Sequence, residues 1–252
     1  LFKGNVTVGC RVEYSEKVTA YLSIENFTDM PYLTMITRNG IIKRSLLESY
    51  KNIRRSGLIA INLDENDELL YVLRTDGDSD VLLATHKGLA VHFQETAARA
   101  LGRTARGVKA INLGQEDFVV GAVALSKDDE RTILFISETG IGKRARISDF
   151  PIHNRGGKGV TCHKITEKTG LLAGIDVVNE QDDVMIVTDT GMIIRTEIST
   201  VPVHSRTAMG VIIMRLNDGA KIVSFTGVAK EEEADESEQL DESGEPIVAE
   251  ST

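Results

Sequence analysis

The chain has 252 residues, of which 41% are hydrophobic, and a formal net charge of −9. This length suits one large all-β domain or two ordinary domains, and the apolar fraction suffices for a packed core. No stretch approaches the roughly 18 apolar residues of a membrane-spanning helix, so we expect no membrane partner. The two cysteines lie outside any CxxC or CxxH spacing and are typical of a reducing, cytoplasmic setting. The start, Leu1-Phe2-Lys3-Gly4, carries neither an initiator Met nor a signal peptide, and we expect a part of a longer protein.

The chain is predicted to contain one repetitive domain over residues 1–229. Residues 1–25 match the end of a repeat, with strands at 4–8 and 18–22, and four full repeats follow at about 32–73, 81–124, 132–177 and 184–226. In each full repeat an alternating apolar strand ends in Thr/Ser-x-x-Gly, and a second glycine opens another alternating strand. These glycines are typical of turns that need positive φ. They are Gly40, Gly57, Gly88, Gly107, Gly140, Gly159, Gly191 and Gly210.

The repeats predict the fold class. Successive first glycines are 48, 52 and 51 residues apart, and each repeat has room for about four short strands. Four strands at this period indicate the blades of a propeller or the turns of a β-solenoid. Residues 94–101 are the one segment where the pattern suits a helical turn.

Basic residues are concentrated between the two glycines of each repeat. The windows 41–56, 89–106, 141–158 and 192–209 together hold 15 Lys and Arg and four acidic residues. Four places after the first glycine stand Arg44, His92, Arg144 and Arg195, and four places before the second stand Arg103, Arg155 and Arg206. We therefore predict that equivalent loops form one basic rim that binds the phosphates of duplex DNA without reading its sequence. The alternative is that these charges are the solvated edges of a propeller.

The predicted DNA-binding residues are Lys43, Arg44, Arg54, Arg55, His92, Arg103, Arg106, Lys143, Arg144, Arg155, Lys158, Arg195 and Arg206. Aromatic residues do not interleave with them, which disfavours binding of single strands by stacking.

Residues 230–252 differ from the rest of the chain in composition. They hold ten acidic residues and one lysine, which account for the whole net charge, so residues 1–229 are neutral. Because the segment is poor in apolar residues and lacks periodicity, we predict a disordered acidic tail. It serves either solubility or competition with nucleic acid for the basic surface.

The sequence predicts no catalytic residue, no metal site and no cofactor. No HExxH, P-loop or GxSxG is present, and the five histidines are scattered. His153 and His163 flank a loop, but apart from Cys162 no ligand residue stands at metal-site spacing.

Three runs carry a resemblance to a known family. They read TRNGIIKR from Thr37, RSGLIAINL from Arg55 and GVKAINL from Gly107. The chain from about residue 17 to 228 resembles the C-terminal domain of the bacterial DNA gyrase A subunit. The resemblance implies a β-pinwheel, a propeller-like fold whose four-stranded blades exchange strands, with a basic rim that wraps duplex DNA. It further implies a cytoplasmic, nucleoid-associated A2B2 topoisomerase, in which the rest of the A subunit cleaves DNA and the ATPase subunit hydrolyses ATP for negative supercoiling.

One motif departs from the family pattern. The family carries a QRRGGKG box in its first blade, and the similar loop here falls in the third full repeat. We therefore interpret it as a box-like loop that touches phosphate, formed by His153, Asn154, Arg155, Gly156, Gly157, Lys158 and Gly159. Two alternatives stay open: the C-terminal domain of a topoisomerase IV A subunit, and an RCC1-like or kelch propeller that binds proteins.

Overall fold

The computed structural model describes residues 2–3, 5–6, 20, 22, 24, 28–52, 57–217 and 219–230. Arg54, Arg55 and residues 231–252 lie outside this part, as do most residues of the two strands predicted before residue 25. The described residues form strands and short 3₁₀ helices, so the predicted all-β class is confirmed. No helix among them is long and apolar enough to cross a membrane.

The strands are two to seven residues long. They are β1 (Phe2–Lys3), β2 (Asn5–Val6), β3 (Tyr32–Thr37), β4 (Ile41–Leu46), β5 (Leu58–Ile59), β6 (Leu69–Thr75), β7 (Asp80–Thr85), β8 (Leu89–Gln94), β9 (Val108–Lys109), β10 (Val119–Leu125), β11 (Thr132–Ser137), β12 (Ile141–Arg146), β13 (Val160–Thr161), β14 (Leu172–Val178), β15 (Asp183–Thr188), β16 (Ile193–Glu197), β17 (Val211–Ile212) and β18 (Ile222–Val228). The 3₁₀ helices are Leu47–Tyr50, Glu95–Ala97, Ile147–Asp149 and Ile198–Thr200. The expectation of a single helical turn is therefore wrong, because the same turn follows the second long strand in every repeat.

All sheets are antiparallel, and neighbouring repeats share them. The orders are β6-β3-β4-β9 (first sheet), β10-β7-β8-β13 (second), β14-β11-β12-β17 (third) and β16-β15-β18 (C-terminal sheet), with a further small sheet β1-β2-β5. In the first three, the strand after the second glycine of one repeat pairs with the preceding repeat, as Ile42 pairs with Val108. The blades thus exchange strands, as the resemblance implies. Four-stranded blades are found three times among the described residues, because the C-terminal sheet holds only strands of its own repeat.

The core lies between successive sheets. Strands β6, β10, β14 and β18 contact one another in order and form the inner side, whereas β9, β13 and β17 are the outer edges. Ile36 and Ile42 of the first sheet pack against Val81, Leu83 and Phe93 of the second. Each such fully buried side chain stabilises the fold by about 1.5–3 kcal/mol. The layers are therefore held together mainly by apolar contacts between repeats.

The second glycines have a precise steric role at the outer edges. All eight predicted turn glycines have positive φ. At Gly159, a Cβ would lie 2.5 Å from the carbonyl oxygen of Ala90. This distance is shorter than the contacts that Cβ atoms make in proteins. Glycine therefore lets the exchanged strand approach its acceptor.

Candidate nucleic-acid interface

Three loops of similar course run along the outer edges of the sheets. After each of the last three 3₁₀ helices the chain crosses to the preceding sheet, through residues 98–107, 150–159 and 201–210, which we call the exchange loops. They are held by backbone hydrogen bonds to that sheet: Leu101 N donates to Arg44 O at 2.7 Å and His153 N to His92 O at 2.8 Å. These loops contain five of the predicted basic residues: Arg103, Arg106, Arg155, Lys158 and Arg206.

The residues four places after the first glycine have a different role from the predicted one. Arg44, His92 and Arg144 are only 7%, 5% and 4% exposed. Each donates a hydrogen bond to the carbonyl that follows the 3₁₀ helix of the next repeat. Arg44 Nε reaches Ala98 O at 3.0 Å, His92 Nδ1 reaches Phe150 O at 2.8 Å, and Arg144 Nε reaches Val201 O at 2.6 Å. Their placement on an exposed phosphate-binding rim is therefore wrong, and they recur in phase because each anchors an exchange loop.

Arg195 is the fourth member of this series and the exception. Its side chain is 51% exposed, and its Nε donates to Asp183 Oδ2 at 2.6 Å. No 3₁₀ helix of a further repeat lies beside it in the described part of the chain. Arg195 is accessible because the described residues place no exchange-loop carbonyl beside it.

Arg44 also belongs to a buried ion pair. Its Nη1 lies 3.1 Å from Glu95 Oε2, and Glu95 is 1% exposed. The same carboxylate accepts hydrogen bonds from Thr75 Oγ1 at 2.6 Å and from the backbone N–H groups of Gly77 and Ser79 at 2.7 and 3.0 Å. A buried charge needs such a complete set of partners to offset its lost hydration. This pair connects the first and second repeats.

Lys43 and Lys143 are fully buried, which also contradicts their placement on an exposed rim. Lys143 Nζ donates to the carbonyls of Ser205, Arg206 and Ala208, the last at 2.7 Å. Lys43 Nζ donates in the same way to the carbonyls of Ala60 and Arg103. Burial lowers the pKa of each ammonium group to about 8. These lysines hold exchange-loop backbone in place.

Arg155 and Arg206 are equivalent residues that tie one exchange loop to the exchanged strand before it. Arg155 Nη1 donates to Lys109 O at 3.0 Å and its Nε to Ala97 O at 2.8 Å. Arg206 Nη1 donates to Thr161 O, the matching position in the next sheet. Both arginines are half-buried.

The remaining predicted residues lie on the surface of the exchange loops. Arg106 is 61% exposed and pairs with Asp64, Arg103 is half-buried, and Lys158 is exposed. DNA contact by these residues stays a prediction.

The box-like loop is pinned between the first and second sheets. Gly156 N donates to Ala110 O at 2.6 Å, and Asn112 N donates to Gly157 O at 2.8 Å. His153, Asn154 and Lys158 remain exposed. The loop therefore presents two polar side chains and one cation on a fixed backbone.

Sequence reasoning missed three further cations at the same edges. Arg99, Lys109 and Arg146 are exposed. Arg99 and Arg146 lie inside the basic windows but out of phase, and Lys109 follows the second glycine. Arg99 and Arg146 contribute to the excess of Lys and Arg in the basic windows. They were left out of the predicted set because they do not stand at a recurring distance from a glycine.

Strand-exchanged antiparallel blades with cationic loops along the outer edges define a propeller-like protein of the β-pinwheel type. The family model described as DNA gyrase C-terminal domain, beta-propeller, matches residues 31–76, 79–126, 131–179 and 182–228, and the chain belongs to this family.

Relatives and solved structures agree with this assignment. The DNA gyrase A subunit of Clostridium acetobutylicum is 42% identical over 241 residues, which cover 96% of this chain and 28% of the relative. That of Staphylococcus epidermidis is 37% identical over 223 residues, covering 88% and 25%. The chain thus spans about a quarter of the length of the curated relatives it matches.

Two solved structures share the fold. The C-terminal domain of DNA topoisomerase IV superposes with a TM-score of 0.80 at 25% identity, covering 86% of this chain and 68% of that one. The C-terminal domain of DNA gyrase A gives 0.72 at 26% identity, covering 81% and 68%.

Proposed function

We propose that this chain binds and bends duplex DNA as the C-terminal domain of a gyrase A subunit. In this function it wraps DNA for an ATP-dependent type II topoisomerase, in the bacterial cytoplasm and in contact with the nucleoid. Cleavage is assigned to the rest of the A subunit, and ATP hydrolysis to the ATPase subunit of an A2B2 assembly. The gyrase A relatives that cover 88% and 96% of the chain support the assignment.

The observation that carries the DNA-binding proposal is the repetition of cationic exchange loops on successive outer edges. Arg99, Arg103 and Arg106 belong to the first loop, Lys158 to the second and Arg206 to the third. Because the loops are fixed to the sheets by backbone hydrogen bonds, their charges hold set positions along the perimeter. A duplex that follows this perimeter meets one cationic loop per blade, and each neutralised phosphate releases condensed counterions. Following a curved edge bends the duplex.

The second candidate function is that of a topoisomerase IV A subunit, because the TM-score with the topoisomerase IV domain is higher than that with the gyrase A domain. An A subunit of topoisomerase IV would use the same fold. The gyrase A relatives at 42% and 37% identity favour gyrase. A topoisomer-shift assay, in which nicked circular DNA is ligated in the presence of the chain, tests the wrap itself, because a chiral wrap leaves a changed linking number after ligation and achiral binding does not.

Titration of a duplex over a salt series tests DNA binding. The logarithm of the affinity should fall steeply with the logarithm of salt, and Lys158→Ala and Arg99→Ala should each reduce the slope by about 0.9 for each phosphate that the variant no longer neutralises. Lys127→Ala is the matched control, since Lys127 is an exposed cation that pairs with Asp78 outside the exchange loops. A slope near zero for the wild-type chain, or equal reductions for all three variants, would refute the proposal.

A further inference from the structure

Three buried side chains anchor the exchange loops, and one of them differs from the others in its chemistry. Arg44 and Arg144 hold the first and third loops, whereas His92 holds the second, residues 150–159, which contains the box-like loop. A guanidinium group keeps its proton throughout the physiological range, but an imidazole gains or loses one between about pH 5 and 8. A change of pH can therefore alter the anchor of the second loop and not the other two.

The ring of His92 lies between two acceptors. Its Nδ1 is 2.8 Å from Phe150 O, its Nε2 is 3.4 Å from Asp80 Oδ2, and His92 and Asp80 are only 5% and 6% exposed. A carbonyl oxygen only accepts, so Nδ1 carries a hydrogen. With no second proton, Nε2 would direct a lone pair toward a carboxylate in the interior of the protein. The geometry therefore requires one more proton between Nε2 and Asp80, on the imidazole or on the carboxyl group.

The surroundings of this pair make the proton important. Within the described part of the chain, His92 Nε2 and Asp80 Oδ1 are buried atoms that have no hydrogen-bond partner. Lys127 follows β10 and interacts through space with the charge of Asp80, while its own ammonium group is exposed. On the side of the third repeat, the titratable residues next to the anchoring carbonyl are the half-buried Asp149 and the exposed His153. Removal of the proton therefore leaves a buried carboxylate that no cation among the described residues contacts.

The fourth repeat contains the same pair with an arginine in place of the histidine. Asp183 begins β15 as Asp80 begins β7, and Arg195 stands four places after the first glycine of its repeat, as His92 does. Arg195 Nε donates to Asp183 Oδ2 at 2.6 Å. A permanent cation is therefore accommodated beside the equivalent carboxylate, and His92→Arg is a substitution with a precedent in this chain.

We propose that His92, through the proton it shares with Asp80, positions the second exchange loop, and that loss of this proton as the pH rises loosens the loop. Two hydrogen bonds connect His92 to the loop: Nδ1 donates to Phe150 O, and His153 N donates to His92 O at 2.8 Å. Without the proton, the ring turns its Nε2 lone pair away from Asp80 and gives up the bond to Phe150 O. The loop is therefore held most firmly at the acidic end of the range. The consequence for DNA, weaker contact by Lys158 at higher pH, rests on the proposed function.

Hydrogen–deuterium exchange of the 252-residue chain without DNA tests the anchor. Peptides that cover residues 150–159 are compared at several values between about pH 5 and 8, after correction for the intrinsic exchange rate. Their protection should fall at least about tenfold toward the upper pH, because the loop loses a hydrogen bond donated by a charged group. Residues 98–107 and 201–210, anchored by Arg44 and Arg144, are internal references and should keep constant protection.

Three variants distinguish the pair from other sources of pH dependence. His92→Arg should keep the loop protected at every pH. Asp80→Asn should do the same, because the amide N–H of Asn can donate to a neutral Nε2. The control His153→Asn removes the exposed histidine of the same loop and should retain the pH dependence of the wild type.

Protection of residues 150–159 that stays constant with pH in the wild type would overturn the proposal. So would the wild-type pH dependence in His92→Arg or Asp80→Asn, or its loss in His153→Asn.

Duplex affinity, measured by fluorescence anisotropy at fixed salt, connects the anchor to the proposed function. The affinity of the wild type relative to His92→Arg should decrease over the same pH range in which residues 150–159 lose protection. Duplex binding together with constant protection would refute the anchor and leave DNA binding intact. Protection that depends on pH without duplex binding at any pH would refute the proposed function and leave the anchor intact.

Discussion

Lys143 keeps its ammonium group in the interior of the protein next to three backbone carbonyls. Desolvation disfavours the charged form, and this burial is the main cause of the lowered pKa. The charges of Asp149 and Arg206 act on the same group in opposite directions. The sequence predicts that Lys143 binds phosphate, whereas in the structure its ammonium group binds the backbone of the third exchange loop.

The lowered pKa predicts how Lys143 changes stability with pH. The folded-state pKa of about 8 lies below the ordinary value of 10.5, so between these values the unfolded chain binds more protons. The free energy of unfolding of the wild type, measured relative to Lys143→Met, should therefore rise with pH from about 8 to 10.5. The slope should not exceed about 1.4 kcal/mol per pH unit. Denaturant titrations at several pH values measure it.

Lys158→Met is the control for this effect. Lys158 is exposed, so its replacement should shift stability by the same small amount at every pH. A Lys143→Met difference that is flat with pH, or that falls between 8 and 10.5, would contradict the burial of a titrating ammonium group.

At the scale of elements, the exchanged strand joins consecutive blades. Strand β17 pairs with β12 through two residues only, yet Gly140, Ile141 and Gly142 all lie against the segment that contains it. The short pairing is reinforced by the anchored loop before it, where Arg144 N donates to Pro202 O and His204 N donates to Arg144 O. Blade integrity therefore depends on the next repeat.

Substitutions at two glycines of equal φ distinguish the cost of backbone strain from the cost of a clash with the exchanged segment. Gly140 and Gly219 both have φ +82, but a Cβ on Gly140 would lie 2.2 Å from Met214 O, and one on Gly219 would meet nothing within 4 Å. Gly219→Ala should cost about 1–2 kcal/mol of stability from the left-handed backbone alone. Gly140→Ala should cost about 1–3 kcal/mol more, because the exchanged segment must shift. Thermal or denaturant unfolding compares the two, and equal costs would mean that the contact with Met214 is not tight.

At the scale of the whole molecule, the charge is divided between a neutral body and an acidic tail. Residues 230–252 carry the net charge of −9, while the cations of the exchange loops lie on the outer edges.

This division predicts that removal of residues 231–252 strengthens binding of duplex DNA. The gain should be several-fold at low salt and should shrink as the Debye length falls below about 10 Å above 0.1 M salt. Fluorescence anisotropy with a labelled duplex measures it across a salt series. A chain with the tail acids changed to Asn and Gln should match the deletion, and an unchanged affinity in both would leave the tail with a solubilising role.

The sequence by itself determined the class of fold, because the alternation of apolar residues and the recurring glycines repeat four times. Leu33-Thr34-Met35-Ile36 and Val184-Met185-Ile186-Val187 lie in strands as predicted, although residues 33–36 are buried on both faces of the sheet, and all eight turn glycines adopt positive φ. These are local properties, fixed by side-chain pattern and backbone sterics. The sequence pattern within each repeat also predicted the basic loops, but it did not predict which of their side chains are exposed.

Tertiary structure alone decided which cations are exposed. Arg44, His92 and Arg144 recur at the same distance from the first glycine, and the exchange loop of the next repeat covers each of them, so this recurrence marks an anchor for the loop. Arg195 stays accessible at the same position because the described chain places no further repeat beside it. Arg99 and Lys109 do not belong to the recurring basic positions, yet they are exposed on the outer edge. Burial depends on contacts between residues about 50 positions apart, and a pattern within one repeat contains no information about them.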